Sequence, residues 1–291
     1  MIVRSLAALG FALAFTSPVS AGSLDLSRYS VTASFSLPDS TASESSAITW
    51  NWDTDTLFVV GDEGDYITEV TTGGTVLGSM RLSGFDDTEA LTYIGGGRFV
   101  IGEERIQDVY LIDYNAGTTA SRGALATVSL GGNVGNIGLE GIAYDRASGG
   151  FVTVKEKAPQ AVQGGTIDFT NGTHTMTDLF APSLGVSDLS DVQVLSGFTG
   201  ASFADNLLIY SQESRKLLEV TRSGQILSSF DFSAFSGSAE GVTISSNGTI
   251  FITDESPNVY VLTAAPIPEP ETYALMLAGL AGVGIAARRR A

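Results

Sequence analysis

Three glutamates in this chain of 291 residues open phrases of one form: Glu89 in EALTY, Glu140 in EGIAY and Glu240 in EGVTI. Two further phrases carry serine in the same slot, Ser46 in SAITW and Ser190 in SDVQV, and Ser190 is followed by Asp191. A second set of acids closes the apolar run that comes next: Glu63, Glu104, Glu156, Glu213 and Glu255. Carboxylates brought together repel unless something neutralises them. Several of them around a rigid hole favour a hard cation, and Ca2+ accepts roughly six to eight oxygens. Glu89, Glu140, Asp191 and Glu240 are therefore the first candidates for calcium ligands, and Glu63, Glu104, Glu156, Glu213 and Glu255 the second. Ion pairing is the competing use of the second set, because Arg105, Lys155, Lys157 and Arg215 flank its members. The first set has no basic neighbour in sequence.

Other chemistries are poorly supplied. There is no cysteine, so thiolate metal sites and cysteine nucleophiles are excluded. His174 is the sole histidine and falls in NGTHTM, away from the acid phrases, which argues against a Ser-His-Asp triad. No glycine-rich loop leads from a strand into a helix, so a nucleotide phosphate has no cradle. Net charge is -17; with the two terminal segments set aside, 30 acids face 11 bases, a net of -19. Such a surface repels nucleic acid and anionic lipid and tolerates divalent cations.

The elements that must position these acids repeat. Taking Ser46, Glu89, Glu140, Ser190 and Glu240 as marks, the spacings are 43, 51, 50 and 50 residues. The first half of the fourth unit is ambiguous, since TGASF from Thr199 fits nearly as well as SDVQV from Ser190. Within a unit, turn residues separate short runs rich in β-branched and aromatic side chains, as in SAITWNWDTDTLFVVGDE. VYLIDY, KLLEV and NVYVL read as third strands; LATVSL, THTMTDL and GQILSSFDF read as fourth strands. Four antiparallel strands in such a period make one β-propeller blade. The last unit ends after NVYVL without a fourth strand, and YSVTASFSL (residues 29–37) stands ahead of the first unit without a partner. Placed in the last blade, it closes a five-bladed ring. The fold expected is all-β: a five-bladed propeller over 22–265, closed by an N-terminal strand. The start of each first strand and the end of each second strand then share one face, where both acid sets fall.

The ends read as addresses. Residues 1–21 have Arg4, an apolar run and the small residues of VSA, the pattern that signal peptidase cuts. Residues 266–291 have Pro268-Glu269-Pro270, an apolar run expected to form a short helix, and three arginines from Arg288. That tail resembles the PEP-CTERM sorting signal. The resemblance implies a Gram-negative bacterium that makes exopolysaccharide, and an exosortase that cuts near Pro-Glu-Pro after the segment has engaged the membrane.

The phrases GFDDTEALTYIGGGRFVIGEER, LEGIAYDRASGGFVTVKEKAP and NLLIYSQESRKLLEVTRSGQIL resemble the SdiA-regulated family. That resemblance implies a five-bladed propeller, distantly related to NHL repeats, with a calcium site. It implies no substrate. Ser46 and Ser190 depart from the acid pattern. The function expected is an exported binding module at the cell envelope or in the extracellular matrix. The alternative is a calcium-dependent esterase or phosphoesterase, because esterase-like propellers carry similar EGIA phrases.

Overall fold

Each repeat forms one antiparallel sheet in the computed structural model, which describes residues 22–63 and 65–266. Blade one runs Ser45–Asn51, Thr56–Gly61, Tyr66–Val70, Val76–Ser83. Blade two runs Thr88–Gly95, Arg98–Glu103, Asp108–Asp113, Ala126–Ser129. Blade three runs Leu139–Asp145, Gly150–Lys155, Ala161–Gly165, Thr177–Phe180, and blade four Asp191–Val194, Leu207–Ser211, Lys216–Val220, Ile226–Asp231. Blade five takes Ala239–Ile244, Ile250–Asp254 and Asn258–Ala264 from one end of the chain and Tyr29–Ser36 from the other. The closing pair is antiparallel from Tyr29 opposite Ala264 to Ser36 opposite Asn258. The expected five-bladed ring and its closure are therefore present. The expected signal segment and the expected C-terminal helix fall outside the described residues. No helix among the described residues is long and apolar enough to cross a membrane.

Blade four settles the ambiguous repeat: its inner strand starts at Asp191, and TGASF lies in turns. The fourth strand of blade three begins four residues later than THTMTDL suggests. Thr173–His174 pairs instead with Ile167–Asp168 in a small hairpin, which leaves His174 exposed and off the outer strand. The sequence also gave no warning of Thr119–Ser121, which adds in parallel to the outer edge of blade one.

Five apolar clusters hold the ring, one at each seam between neighbouring blades. A second strand such as Thr56–Gly61 is covered on both faces, so every residue is buried and the run reads as continuously apolar. The inner edge of each first strand has no further strand to pair with. Side chains of the adjacent blade serve it. The Thr49 hydroxyl accepts the Tyr93 N–H at 3.1 Å, Thr92 accepts Tyr144 at 2.9 Å, and Thr243 accepts Trp50 at 3.0 Å. The slot after the leading Glu or Ser is small in four blades: Ala47, Ala90, Gly141 and Gly241. A Cβ on Gly241 would come within 2.8 Å of the Ser46 carbonyl, so glycine there is a matter of space at the narrowest point.

Candidate metal centre

The inner strands all start at one mouth of the channel and the second strands end there, so the two acid sets meet. Glu104 from the second set, Glu140 from the first and Glu156 from the second bring carboxylate oxygens within 4.8 Å of one another. Glu89, Glu140 and Glu240 are half-buried around the opening. Loss of solvent pushes Glu89 up to about 8; the Asp62, Asp87 and Glu104 charges add to this, and the Ser46 hydroxyl partly offsets it. Burial raises Glu140 well above the carboxylate range, and the carboxylates of Glu89, Glu104 and Glu156 raise it further. Glu240 is pushed to about 10 by burial, then by Glu89 and Glu255. The Gln212 amide donates to it, 2.7 Å from Oε1, and also reaches Glu255 at 3.1 Å; the Ser46 hydroxyl offsets part of the rise.

Asp191 sits one position deeper. It fills the slot that is Ala or Gly in the other blades, against Gly141, and is almost sealed from solvent. Burial raises its pKa strongly; the N–H groups of Val192 and Val242, each at 2.7 Å, oppose that rise. It thus ties blade four to blade five through its two oxygens and forms the floor beneath the glutamates. Ser190 donates to Asp188 at 3.3 Å and accepts the Gln212 N–H at 2.9 Å.

The second set divides. Lys157 pairs with Glu156 at 2.6 Å and with Glu213 at 2.7 Å, joining blades three and four. Arg105 pairs with Asp86 and Asp87, not with Glu104. Lys155 donates to the Lys157 carbonyl. Glu104 is buried and accepts only the Gly138 N–H at 3.0 Å. Glu63 is exposed and lies with Glu44 and Asp62 in a separate acid group, where burial and Glu44 raise Asp62 to about 6. Glu255 is exposed at the rim beside Glu240.

Asp87 was not foreseen as part of the site. Residue 87 precedes the repeat phrase, and only the third dimension brings it against Glu104. It is 7% exposed, its Oδ2 is buried with no hydrogen-bond partner, and burial followed by Glu104 raises it to about 7.

Two fully buried acids elsewhere are saturated with donors. Glu103 is held by Arg122 at 2.9 Å, by the Tyr110 hydroxyl at 2.5 Å and by the Asp86 N–H at 2.8 Å. Glu219 accepts from Ser23, Leu24, Asn206 and Ser228 at 2.5–2.8 Å. Both are at most 1% exposed.

Five antiparallel blades around an acid-lined channel define a β-propeller with an anionic mouth. The chain belongs to the SdiA-regulated family, whose model matches residues 22–263. Residues 266–290 match the PEP-CTERM protein-sorting motif, which marks a protein for export to the cell envelope of Gram-negative bacteria, membrane anchoring and processing by an exosortase. Among solved structures, the chain is similar to the glutaminyl cyclase of Myxococcus xanthus, at 12% identity and TM-score 0.56 over 82% of this chain and 97% of that one. It also matches a luciferin-regenerating enzyme at 11% identity and TM-score 0.48, over 81% of this chain and 95% of that one. A streptogramin B lyase matches at 14% identity and TM-score 0.42 over 76% of this chain; the chain spans 65% of that structure's length. At these identities the likeness is one of fold.

Proposed function

We propose that this is an exported binding propeller whose acid mouth takes a calcium ion. Glu89, Glu140 and Glu240 are the central carboxylates, with Glu104 and Glu156 on the wall. One observation carries this reading: buried Glu103 and Glu219 are given donors on every side, whereas Glu140 is faced by the carboxylates of Glu89, Glu104 and Glu156. A charge left so costs stability unless protons or a cation compensate it. The donor set also fits the ion. It is carboxylate oxygen throughout, which suits a hard divalent cation better than zinc, and the unpartnered Asp87 Oδ2 lies at its edge. Asp191, with its oxygens committed to backbone, forms the floor. Glu213 and Glu63 stand outside the centre, and Glu255 borders it. Bound there, calcium would supply a positive centre at an otherwise anionic opening, and would join blades two, three and five at the axis.

The address supports the setting. Signal peptidase would remove residues 1–21, and the exosortase step would deliver the propeller to the outer surface or extracellular matrix, where exopolysaccharide is the ligand class proposed.

Thermal unfolding of the full chain tests the ion. Chelator should lower the melting temperature and Ca2+ should restore it. Calcium bound only by the folded form adds ~2.7 kcal/mol at one hundred times Kd. Mg2+ should restore less, because it demands tight octahedral geometry. A melting temperature indifferent to chelator and to added Ca2+ would remove calcium from the proposal. Turnover of an ester or phosphoester panel by the calcium-loaded protein, lost with chelator, would convert binding into catalysis.

A further inference from the structure

The inner strands end at the opposite mouth, and there the residue types change. All five blades line a solvent-open recess with a cavity of about 40 Å3: Trp52 from blade one, Tyr93 from two, Tyr144 and Arg146 from three, Phe198 from four and Ser245 from five. The recess is too small to enclose a ring, so a ligand there lies over its rim, where Trp52 and Tyr144 are half-buried and Arg146 is exposed. Trp52 lies 4.5 Å from Tyr93 between ring centroids, and runs nearly parallel to Tyr144 at 6.4 Å and 18°. The Arg146 guanidinium stands 4.4 Å over the indole. This stack holds its plane in place without using its hydrogen-bonding edge.

The nearby acids are already committed. Asp145 pairs with Arg222 at 2.8 Å. Asp53 accepts the Tyr93 hydroxyl and the Gly96 N–H. Among the described residues, no ion pair forms to Arg146, whereas Arg105, Arg122 and Arg222 each have a carboxylate partner. A guanidinium held flat by an indole, with its edge unpaired at an aromatic pocket, matches a carboxylate bidentately. The aromatic faces match an apolar ring face.

The geometry points to a second binding site in this channel, at the mouth remote from the acids, for a small ring compound bearing a carboxylate. Arg146 takes the carboxylate and Trp52 with Tyr144 takes the ring. The site needs neither calcium nor the acid mouth. A uronic acid and a non-sugar ring carboxylate share this chemistry, and the experiment separates them.

The two tryptophans of the chain, Trp50 and Trp52, both line the pocket, so indole fluorescence reports on it directly. The full-length protein would be titrated with glucuronate, cyclohexanecarboxylate and glucose, each with and without chelator. Expected are saturable fluorescence changes with one or both carboxylates, none with glucose over the same range, and no effect of chelator on affinity. Response to glucuronate alone assigns a sugar ligand; response to both assigns the ring carboxylate in general. Arg146→Ala, on an exposed side chain, should keep the melting temperature and weaken binding about tenfold or more. Arg146→Lys should recover only part, because the bidentate edge is gone. The proposal is overturned if neither carboxylate gives a saturable change, if glucose matches them, or if Arg146→Ala binds as wild type.

Discussion

The acid mouth and the seam around Glu219 both bury glutamate, and they treat it in opposite ways. At the seam, one carboxylate of blade four gathers the segment that leads into the closing strand: the Ser23 hydroxyl at 2.5 Å and the Leu24 N–H at 2.7 Å bind its two oxygens. Asn206 and Ser228 complete the set at 2.8 Å. At the mouth, Glu89, Glu140 and Glu240 face chiefly other carboxylates: Asp62, Asp87 and Glu104 act on Glu89, Glu89, Glu104 and Glu156 on Glu140, and Glu89 and Glu255 on Glu240. The first arrangement is what a buried charge needs in order to hold structure together. The second leaves a deficit of positive charge. Burial separates them only in degree, half-buried at the mouth and sealed at the seam; the partners separate them in kind.

The largest effect that would break this comparison falls at the seam. Glu219→Ala strands several buried donors at once, and should cost about 3 kcal/mol in urea unfolding. A loss below about 1 kcal/mol would mean the seam acid is no better used than the mouth acids. Acidity comes next. Without calcium, the mouth carboxylates bind protons more tightly folded than unfolded, with Glu89 near 8 and Glu240 near 10 against an ordinary value of 4.5. Their contribution is therefore fully present below the unfolded pKa and is lost as pH rises through the folded values. Melting temperature in chelator should fall between pH 5 and 9, and saturating Ca2+ should flatten the fall. An equally steep fall with Ca2+ would mean that the cation does not replace those protons. The smallest effect is the sharpest in sign. Glu140→Gln should stabilise the calcium-free protein at pH 8 by about 1 kcal/mol, while weakening its response to Ca2+. Destabilisation there would show that Glu140 has a partner as Glu219 has.

Much of this architecture was legible because a propeller writes its period into the chain. The matching phrases around Glu89, Glu140 and Glu240 and the unpaired run 29–37 gave blade count and closure, since an incomplete last unit and a spare strand complete each other. The fourth unit was ambiguous for a physical reason: Asp191 occupies a slot that close approach makes Ala or Gly elsewhere, so SDVQV departs from the pattern. The hairpin Ile167–Asp168 with Thr173–His174 displaced an outer strand because the segment before it folds back locally. In the site, Lys157 was identifiable as a counter-charge. Arg105 was not assigned correctly, because adjacency to Glu104 in sequence says nothing about the side chain's direction, and it reaches Asp86 and Asp87 instead. Glu219 could not be picked out, since its partner Ser23 lies 196 residues away.

The closing strand also sets a clock. Arg28 and Ala265, which hydrogen-bond at the end of the seam, are 237 residues apart, and a chain is made from its N-terminus onward. Until the last strand arrives, Tyr29–Ser36 and blade five both present unpaired backbone edges, which invite association with other chains. The sorting motif begins at residue 266, two residues beyond the strand that completes the ring. Removal of the tail after the ring has shut yields a particle in which these two edges are joined to each other. Removal before then would release two adhesive edges into a crowded compartment. The order of cutting and shutting thus sets whether these two edges are ever offered to another chain.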